Sequence, residues 1–374
     1  MVPSGRLRIL LDYRPALRQR TGVGEYVHHL AAALCRLGPD DDVTLFSSSW
    51  KDRLAPDAVP GASTIDRRIP VSVLNFAWHR LGWPPVETLG AAADMAWSVH
   101  PLLMPTRSAA QVVTVHDLYF LDRPEATVRE VRRDYPALAG AHVRRADGVI
   151  ANSEYTRGVI EARLGVPRQR ITVCYPGAPA WRVREEPSTA GPILHVGTIE
   201  PRKNVKALIR AYLALTVEHP ETPPLVFAGR IATPIEALSG GDADGRSGNR
   251  VRFLGYVTDE ERLRLYRQAS MLVIASWDEG FGLPALEAMT IGLPVVAAAR
   301  GSLPEVLAEA GILVDPDDPA ALSGAMLRLL QDEELRRTQA AKGVSRARDF
   351  SWDDSAFKLR NAFSEAVARR AHRA

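Results

Sequence analysis

The 374-residue sequence predicts an α/β protein built as two doubly wound domains facing one another across a cleft. Three observations carry that expectation. The length exceeds the roughly 100–200 residues usual for one domain. Short β-branched or apolar runs alternate with helical patterns from end to end. One aperiodic stretch rich in proline and acidic residues interrupts the alternation near the middle.

The first series runs RILLDY, the helical VGEYVHHLAAALCRL, VTLFS, QVVTV, GVIAN, a helix over about Tyr155–Leu164, and ITVCY. It defines a first domain over residues 1–178, followed by a linker over 179–190 that serves as a hinge for domain closure. A second series begins at PILHVG and continues through KNVKALIRAYLAL, PLVFAG, VRFLG, ERLRLYRQA, MLVIAS, PALEAM, PVVAAA and GILVD, a second domain over 191–350. The stretch 351–374 reads as a C-terminal helix packing back on the first domain. Sheets of this kind bind ligands beyond the carboxyl ends of their strands, so the loops after the strands are where function is expected.

Composition excludes several classes. At 46% hydrophobic, 24% charged and 7% aromatic, the chain is neither disordered nor fibrous. A net charge of +3 does not mark a nucleic-acid binder, and no apolar run reaches the length of a spanning helix. With two cysteines, Cys35 and Cys174, and a start that does not read as a secretory signal, a cytoplasmic setting is expected. Lysine is scarce beside arginine, yet Lys203 and Lys206 fall in one short segment, EPRKNVK.

Four segments hold candidate chemistry. In MLVIASWDEGFGLPALEAM, Glu279 lies in a loop after a strand and Glu287 on the helix that Pro284 opens. Gly280 and Gly282 between them allow close backbone approach, and the amides of a helix start favour anions. In HVGTIEPRKNVKALI, Gly197 follows a strand, and Arg202 with Lys203 stand where two cations can neutralise a diphosphate. In VVTVHDLYF a strand runs into His116 and Asp117, and in RQRTGVGEYVHHL Gly22 and Gly24 precede a helix. Taken singly each has a bland alternative: a solvated helix glutamate, a basic loop with Asn204 capping a helix, a satisfied turn histidine, and ordinary glycine punctuation.

In order and wording these four segments resemble the retaining glycosyltransferases of family 4 (glycosyl transferases group 1), bacterial mannosyltransferases among them, over nearly the whole chain. The resemblance implies the GT-B fold of two Rossmann-like domains and a hexosyltransferase activity. Glu279 and Glu287 stand where that family has its E-x7-E motif. By the same resemblance, Arg202 and Lys203 stabilise the departing diphosphate, Glu287 binds the ribose, and Glu279 with the Gly280, Phe281, Gly282 and Leu283 backbone holds the donor sugar. Gly197 and Gly24 adjoin the donor, and Tyr256 and Val257 lie near its base. His116 borders the transferred sugar, while Gly22 and Asp117 shape the acceptor side. The implied donor is a nucleotide-diphosphate sugar, with GDP-mannose leading. The implied acceptor is a glycan, lipid-linked or small molecule in surface polysaccharide assembly, with neither a covalent nucleophile nor an essential metal.

Other readings fit less well. Gly22-Val23-Gly24 begins a dinucleotide fingerprint, but its third position is Val27 and about ten residues separate it from the strand. A nucleotide-sugar epimerase of the same fold and a nonenzymatic sugar-nucleotide binder are the remaining rivals. Asp242-Ala243-Asp244 and Asp315-Pro316-Asp317 mimic a metal-binding triplet but sit in a polar loop and a turn. The clustered Phe76, Trp78 and Trp83, with the basic helix of Arg129, Arg132, Arg133, Arg144 and Arg145, raise peripheral membrane contact at the inner face as a further expectation.

Overall fold

The computed structural model describes residues 5–17, 20, 22–123, 129–185, 190–235 and 250–373. The chain divides into two compact units, Met1–Gly177 with Ser351–Ala374, and Ala178–Phe350. Among the described residues no helix is long and apolar enough to cross a membrane.

The first unit is built on a parallel sheet of β1 (Arg8–Asp12), β2 (Asp42–Ser48), β3 (Ser63–Arg67), β4 (Met95–Ser98), β5 (Ala110–Val115), β6 (Gly148–Ala151) and β7 (Ile171–Val173). The strand order is β3-β2-β1-β4-β5-β6-β7, so the order reverses between β1 and β4. Strands β4, β5 and β6 are buried at every residue, as a sheet covered on both faces requires. Its helices are α1 (Gly22–Leu37), α2 (Val71–Phe76) running into a π turn (Ala77–Leu81), α3 (Tyr119–Asp122), α4 (Arg129–Arg145) and α5 (Glu154–Leu164). Helix α5 starts where Ser153 accepts a hydrogen bond from the Thr156 amide and ends at the left-handed Gly165.

Strands β3 and β4 are absent from the series read in the sequence. β4, MAWS, has no β-branched residue, and β3 has only partly buried or exposed residues, so neither offers the β-branched apolar run that marks the other strands. The C-terminal helix, Trp352–Ala371, belongs to the first unit. It buries Leu359, Phe363 and Ala366 in the cluster formed by β1, β4 and α1.

The second unit holds β8 (Ile193–Val196), β9 (Leu225–Ala228), β10 (Val251–Phe253), β11 (Met271–Ile274), β12 (Val295–Ala298) and β13 (Ile312–Val314). They form a parallel sheet in the order β10-β9-β8-β11-β12-β13, reversing between β8 and β11. Its helices are α6 (Val205–Glu218), α7 (Asp259–Gln268), α8 (Leu283–Thr290), α9 (Leu303–Leu307), α10 (Pro319–Gln331) and α11 (Glu333–Ala347). The start of α7 is fixed by a reciprocal pair, Thr258 accepting from the Glu261 amide and Glu261 accepting from the Thr258 amide.

Of the stretch expected as a linker, residues 179–185 are tied into the second unit, which begins at Ala178. Trp181 packs on Tyr266 at 5.9 Å, and the Arg184 guanidinium donates to the carbonyls of Ala269 at 2.7 Å and Gly292 at 3.1 Å. A guanidinium with buried carbonyl partners holds the backbone that carries it, and proline content does not reveal that.

Candidate functional site

In the second unit the site is assembled at the reversal of strand order, where the loops after β8 and β11 leave the sheet side by side. The loop after β8 turns through a short 3-10 segment, Pro201–Lys203, before α6. The loop after β11 carries Ser276 to Gly280. The two are laced together: the Trp277 amide donates to the Arg202 carbonyl at 3.0 Å, and the Arg202 guanidinium donates to the Asp278 carbonyl at 3.0 Å.

This lacing brings the basic pair onto the first glutamate. Lys203 Nζ lies 2.6 Å from Glu279 Oε1, and Arg202 Nη1 lies 3.4 Å from Glu279 Oε2. Ser276 Oγ donates to the same Oε1 at 2.7 Å. Lys203 and Glu279 are both buried, at 8% and 6% exposure. Burial pushes the Glu279 carboxyl up, but Lys203, Arg202 and Ser276 override it and hold it at about 2. It is therefore a fixed anion at neutral pH, a poor proton donor and a nucleophile whose lone pairs are already engaged. The Arg202 guanidinium is further steadied by Glu200 at 3.0 Å.

Sequence spacing treats the basic pair and Glu279 as separate motifs, and the fold joins them across some 76 positions of chain. Asn204 stands at the N-cap of α6, but its side chain makes no cap hydrogen bond. Its backbone is left-handed and its side-chain amide donates to the Pro316 carbonyl at 3.1 Å.

Helix α8 opens at Gly282, whose φ of +89° places the chain in the left-handed region that glycine adopts without strain. Pro284 stands in its first turn, and the helix start therefore faces the loop that carries Glu279. Phe281 is buried against Phe350 at 5.5 Å, which leaves only its backbone for a ligand. Glu287 sits mid-helix and is not a solvated residue. Tyr266 donates to its Oε2 at 2.7 Å, and Arg262 approaches its Oε1 at 3.2 Å, both from α7.

Gly197 follows β8, and beside it Gly229 follows β9. A Cβ on Gly229 would stand 2.0 Å from the Gly197 carbonyl oxygen, so only glycine permits the approach. The Gly229 amide in turn donates to the Gly255 carbonyl at 2.8 Å, next to Tyr256 and Val257. Tyr256 is 45% exposed. The loops after β8, β9 and β10 thus form one connected rim.

Sequence reasoning missed Tyr266, Arg262, Ser276, Gly229 and His195. His195 and Ser276 lie inside two of the candidate segments, but only packing shows what each of the five touches. His195 is wholly buried, Nδ1 lying 2.9 Å from the Val273 carbonyl, and burial lowers it to about 4.

In the first unit His116 follows β5. Its Nε2 donates to the Val99 carbonyl at 3.1 Å, its ring stands edge-on to Tyr26, and burial lowers it to about 4, so it is neutral at pH 7. Asp117 accepts from the Tyr119 amide at 3.2 Å, as a turn residue does. Gly22 and Gly24 do not precede α1 but form its first turn. Glycine is needed at 24 because a Cβ there would meet the Pro15 carbonyl at 2.8 Å.

Asp315 and Asp317 form a turn before α10, the Asp317 amide donating to Asp315 at 3.1 Å. The other acidic triplet, at Asp242 to Asp244, lies outside the described residues. The aromatic trio divides: Trp78 is buried against Phe46, whereas Phe76 and Trp83 are exposed.

Two parallel, doubly wound units, one with two cations and a carboxylate gathered at its strand-order reversal, are the architecture of the GT-B class. The description "Glycosyltransferase Family 4" matches residues 20–182, and "Glycosyl transferases group 1" matches residues 191–332. An O-antigen chain mannosyltransferase B of Escherichia coli is 32% identical over 96% of this chain and 99% of its own length. A D-inositol 3-phosphate glycosyltransferase of Salinispora tropica is 33% identical over 75% of this chain and 62% of its own length. Among solved structures, a sucrose-phosphate synthase of Thermosynechococcus elongatus shares the fold, with a TM-score of 0.75 and 22% identity over 95% of this chain and 97% of that one. The chain belongs to glycosyltransferase family 4, and it is an enzyme, a hexosyltransferase.

Proposed function

We propose that the protein transfers a hexosyl group, with mannose from GDP-mannose as the leading donor, from a nucleotide-diphosphate sugar to a glycan or lipid-linked acceptor in surface polysaccharide assembly. The observation that carries this reading is the Lys203–Glu279–Arg202 cluster at the strand-order reversal of the second unit. A leaving diphosphate needs preorganised positive charge as its own charge develops, and two cations already oriented by a carboxylate supply it without reorganisation. Glu287, held by Tyr266 and Arg262, suits the ribose hydroxyls, and the loop backbone after Glu279 suits the donor sugar.

With Glu279 held as a bound anion, retention is assigned to front-side attack assisted by the leaving phosphate rather than to a covalent glycosyl-enzyme. His116, Asp117 and the first turn of α1 are assigned to the sugar and acceptor side. No essential metal is assigned. Mannose is favoured over other hexoses because a relative 32% identical that matches nearly end to end is named a mannosyltransferase. The second relative, named for an inositol phosphate acceptor, leaves two acceptor classes to separate, one neutral and one anionic.

A thermal-shift series with EDTA present throughout tests the donor reading. A ligand at 100 times its Kd adds about 2.7 kcal/mol to native stability, which is a shift of several degrees. GDP and GDP-mannose are expected to give that shift and Lys203→Ala to remove it. The same variant is expected to lower kcat/KM for transfer by about 10²- to 10³-fold. Stabilisation by NAD alone would overturn the reading.

A further inference from the structure

Loops leave the second sheet on both sides of the Lys203–Glu279 cluster. Those after β8, β9 and β10 form the rim beside Tyr256. On the other side the ends of β11, β12 and β13 are neighbours, and their loops carry Trp277, Arg300, Asp315 and Asp317. The donor reading uses none of these side chains.

Hydrogen bonds join them into one group. Trp277 Nε1 donates to Asp317 Oδ1 at 3.1 Å, the Asp317 amide donates to Asp315 Oδ1 at 3.1 Å, and Arg300 Nη2 donates to the same Oδ1 at 3.1 Å. Asn204 fixes the turn between the two aspartates through the Pro316 carbonyl. Indole side chains are buried on average, yet Trp277 is 45% exposed at the end of the sheet where ligands bind. With its ring edge bonded to Asp317 and its amide donating to the Arg202 carbonyl at 3.0 Å, the exposed face is held in place. A rigid aromatic face loses little conformational entropy when a ligand covers it.

The face and its surroundings indicate the ligand chemistry. An indole offers a broad apolar surface whose complement is the C–H face of a pyranose. The same pyranose needs partners for the hydroxyls around its edge, and here the exposed carboxylates of Asp315 and Asp317 accept while the exposed Arg300 guanidinium donates. An acyl chain would match the indole but would desolvate these charged groups without giving them partners. A nucleotide base would stack as well, but Tyr256 and Val257, on the far side of the cluster, are assigned to the base.

From this geometry we infer that Trp277 is a stacking platform for one pyranose of a glycan acceptor, with Arg300 and Asp315 meeting hydroxyls at the edge of that ring. The inference rests on the glycosyltransferase reading above and adds a glycan contact in the second unit, beside the donor loops. Because the amide of the platform is bonded to Arg202, a sugar seated on the ring also steadies the loop that holds the diphosphate cations.

The test uses the full chain with 5-fluorotryptophan at its seven tryptophan positions, the Trp277 signal being assigned by its loss in Trp277→Phe. Mannobiose, maltose and lactose are titrated, with GDP and myo-inositol 1-phosphate as the probes that are not glycans. At least one disaccharide is expected to move the Trp277 signal saturably, and to do so equally with GDP already bound. Affinities are then read from the ligand side by saturation-transfer NMR. Trp277→Leu is expected to weaken that disaccharide by about tenfold, and Trp277→Phe, which keeps an aromatic face, by about threefold or less. The GDP-induced thermal shift is expected to be the same in both variants, because a backbone amide meets the Arg202 carbonyl. No saturable shift with any disaccharide, displacement of the disaccharide by GDP, preferred binding of inositol phosphate, or unchanged affinity in Trp277→Leu overturns the platform. Loss of the GDP shift in Trp277→Leu alone would make the ring a prop for the Arg202 loop and overturns it equally. Loss of the GDP shift in the unmodified protein would instead bring down the donor reading.

Discussion

Glu279 carries its charge in a place where burial alone would neutralise it, and the two cations beside it are the reason. Its folded value of about 2 lies below the ordinary 4.5, so the carboxylate stabilises the fold above the unfolded value and that stabilisation is lost as pH falls from about 4.5 to about 2. The loss amounts to about 3 kcal/mol, at about 1.36 kcal/mol for each pH unit between the two values. Urea midpoints at pH 6, 4 and 3 are expected to fall more steeply in the native sequence than in Glu279→Gln, which has no carboxylate to titrate at this position. Glu279→Gln is also expected to raise the donor KM, because the residue is assigned to orienting the sugar and not to attacking it. A glycosyl adduct on Glu279, seen by mass spectrometry of the native sequence, would refute that role.

Helix α7 was legible in the sequence as the helical segment ERLRLYRQA, yet nothing in that segment indicated a role for it. The fold turns its Tyr266 and Arg262 toward Glu287 of α8, so one helix positions a carboxylate of another. A hydrogen bond to a charged group contributes roughly 1.5–3 kcal/mol. Tyr266→Phe removes one such bond and keeps the ring packed on Trp181. It is expected to raise the donor KM by about tenfold with kcat within about twofold, since Glu287 is assigned to ribose and not to the reacting centre. Equal losses in kcat and kcat/KM would place Glu287 at the chemistry instead. The same scale explains the sheet: β9, β11, β12 and β13 are apolar runs with β-branched residues, whereas β4, MAWS, has none.

At the scale of the molecule, the chain passes from the first unit to the second at Gly177–Ala178 and returns at Phe350–Ser351. The returning helix supplies core to the first unit: Phe363 is fully buried and lies 5.5 Å from Trp97 of β4. Phe363→Ala is expected to cost about 3–5 kcal/mol of first-unit stability. Because the second unit owns the donor loops, the GDP-induced shift is expected to survive in this variant. Denaturant unfolding followed with and without GDP separates the two effects. A loss of the nucleotide shift at temperatures where the variant stays folded would contradict this division of labour.

The alternation of strand and helix, the two series, and the order of Arg202, Lys203, Glu279 and Glu287 along the chain were determined by the sequence alone. These are local properties: periodicity, turn residues and spacing within one loop or one helix. Only the tertiary structure decided which of them meet. Lys203 and Glu279 are joined because β8 and β11, far apart in sequence, are neighbours at the reversal of the sheet. Glu287 is held because α7 packs beside α8. The expected free linker is anchored by Arg184 for the same reason. Contacts between residues distant in sequence follow from strand order and helix packing, and no window of sequence contains either.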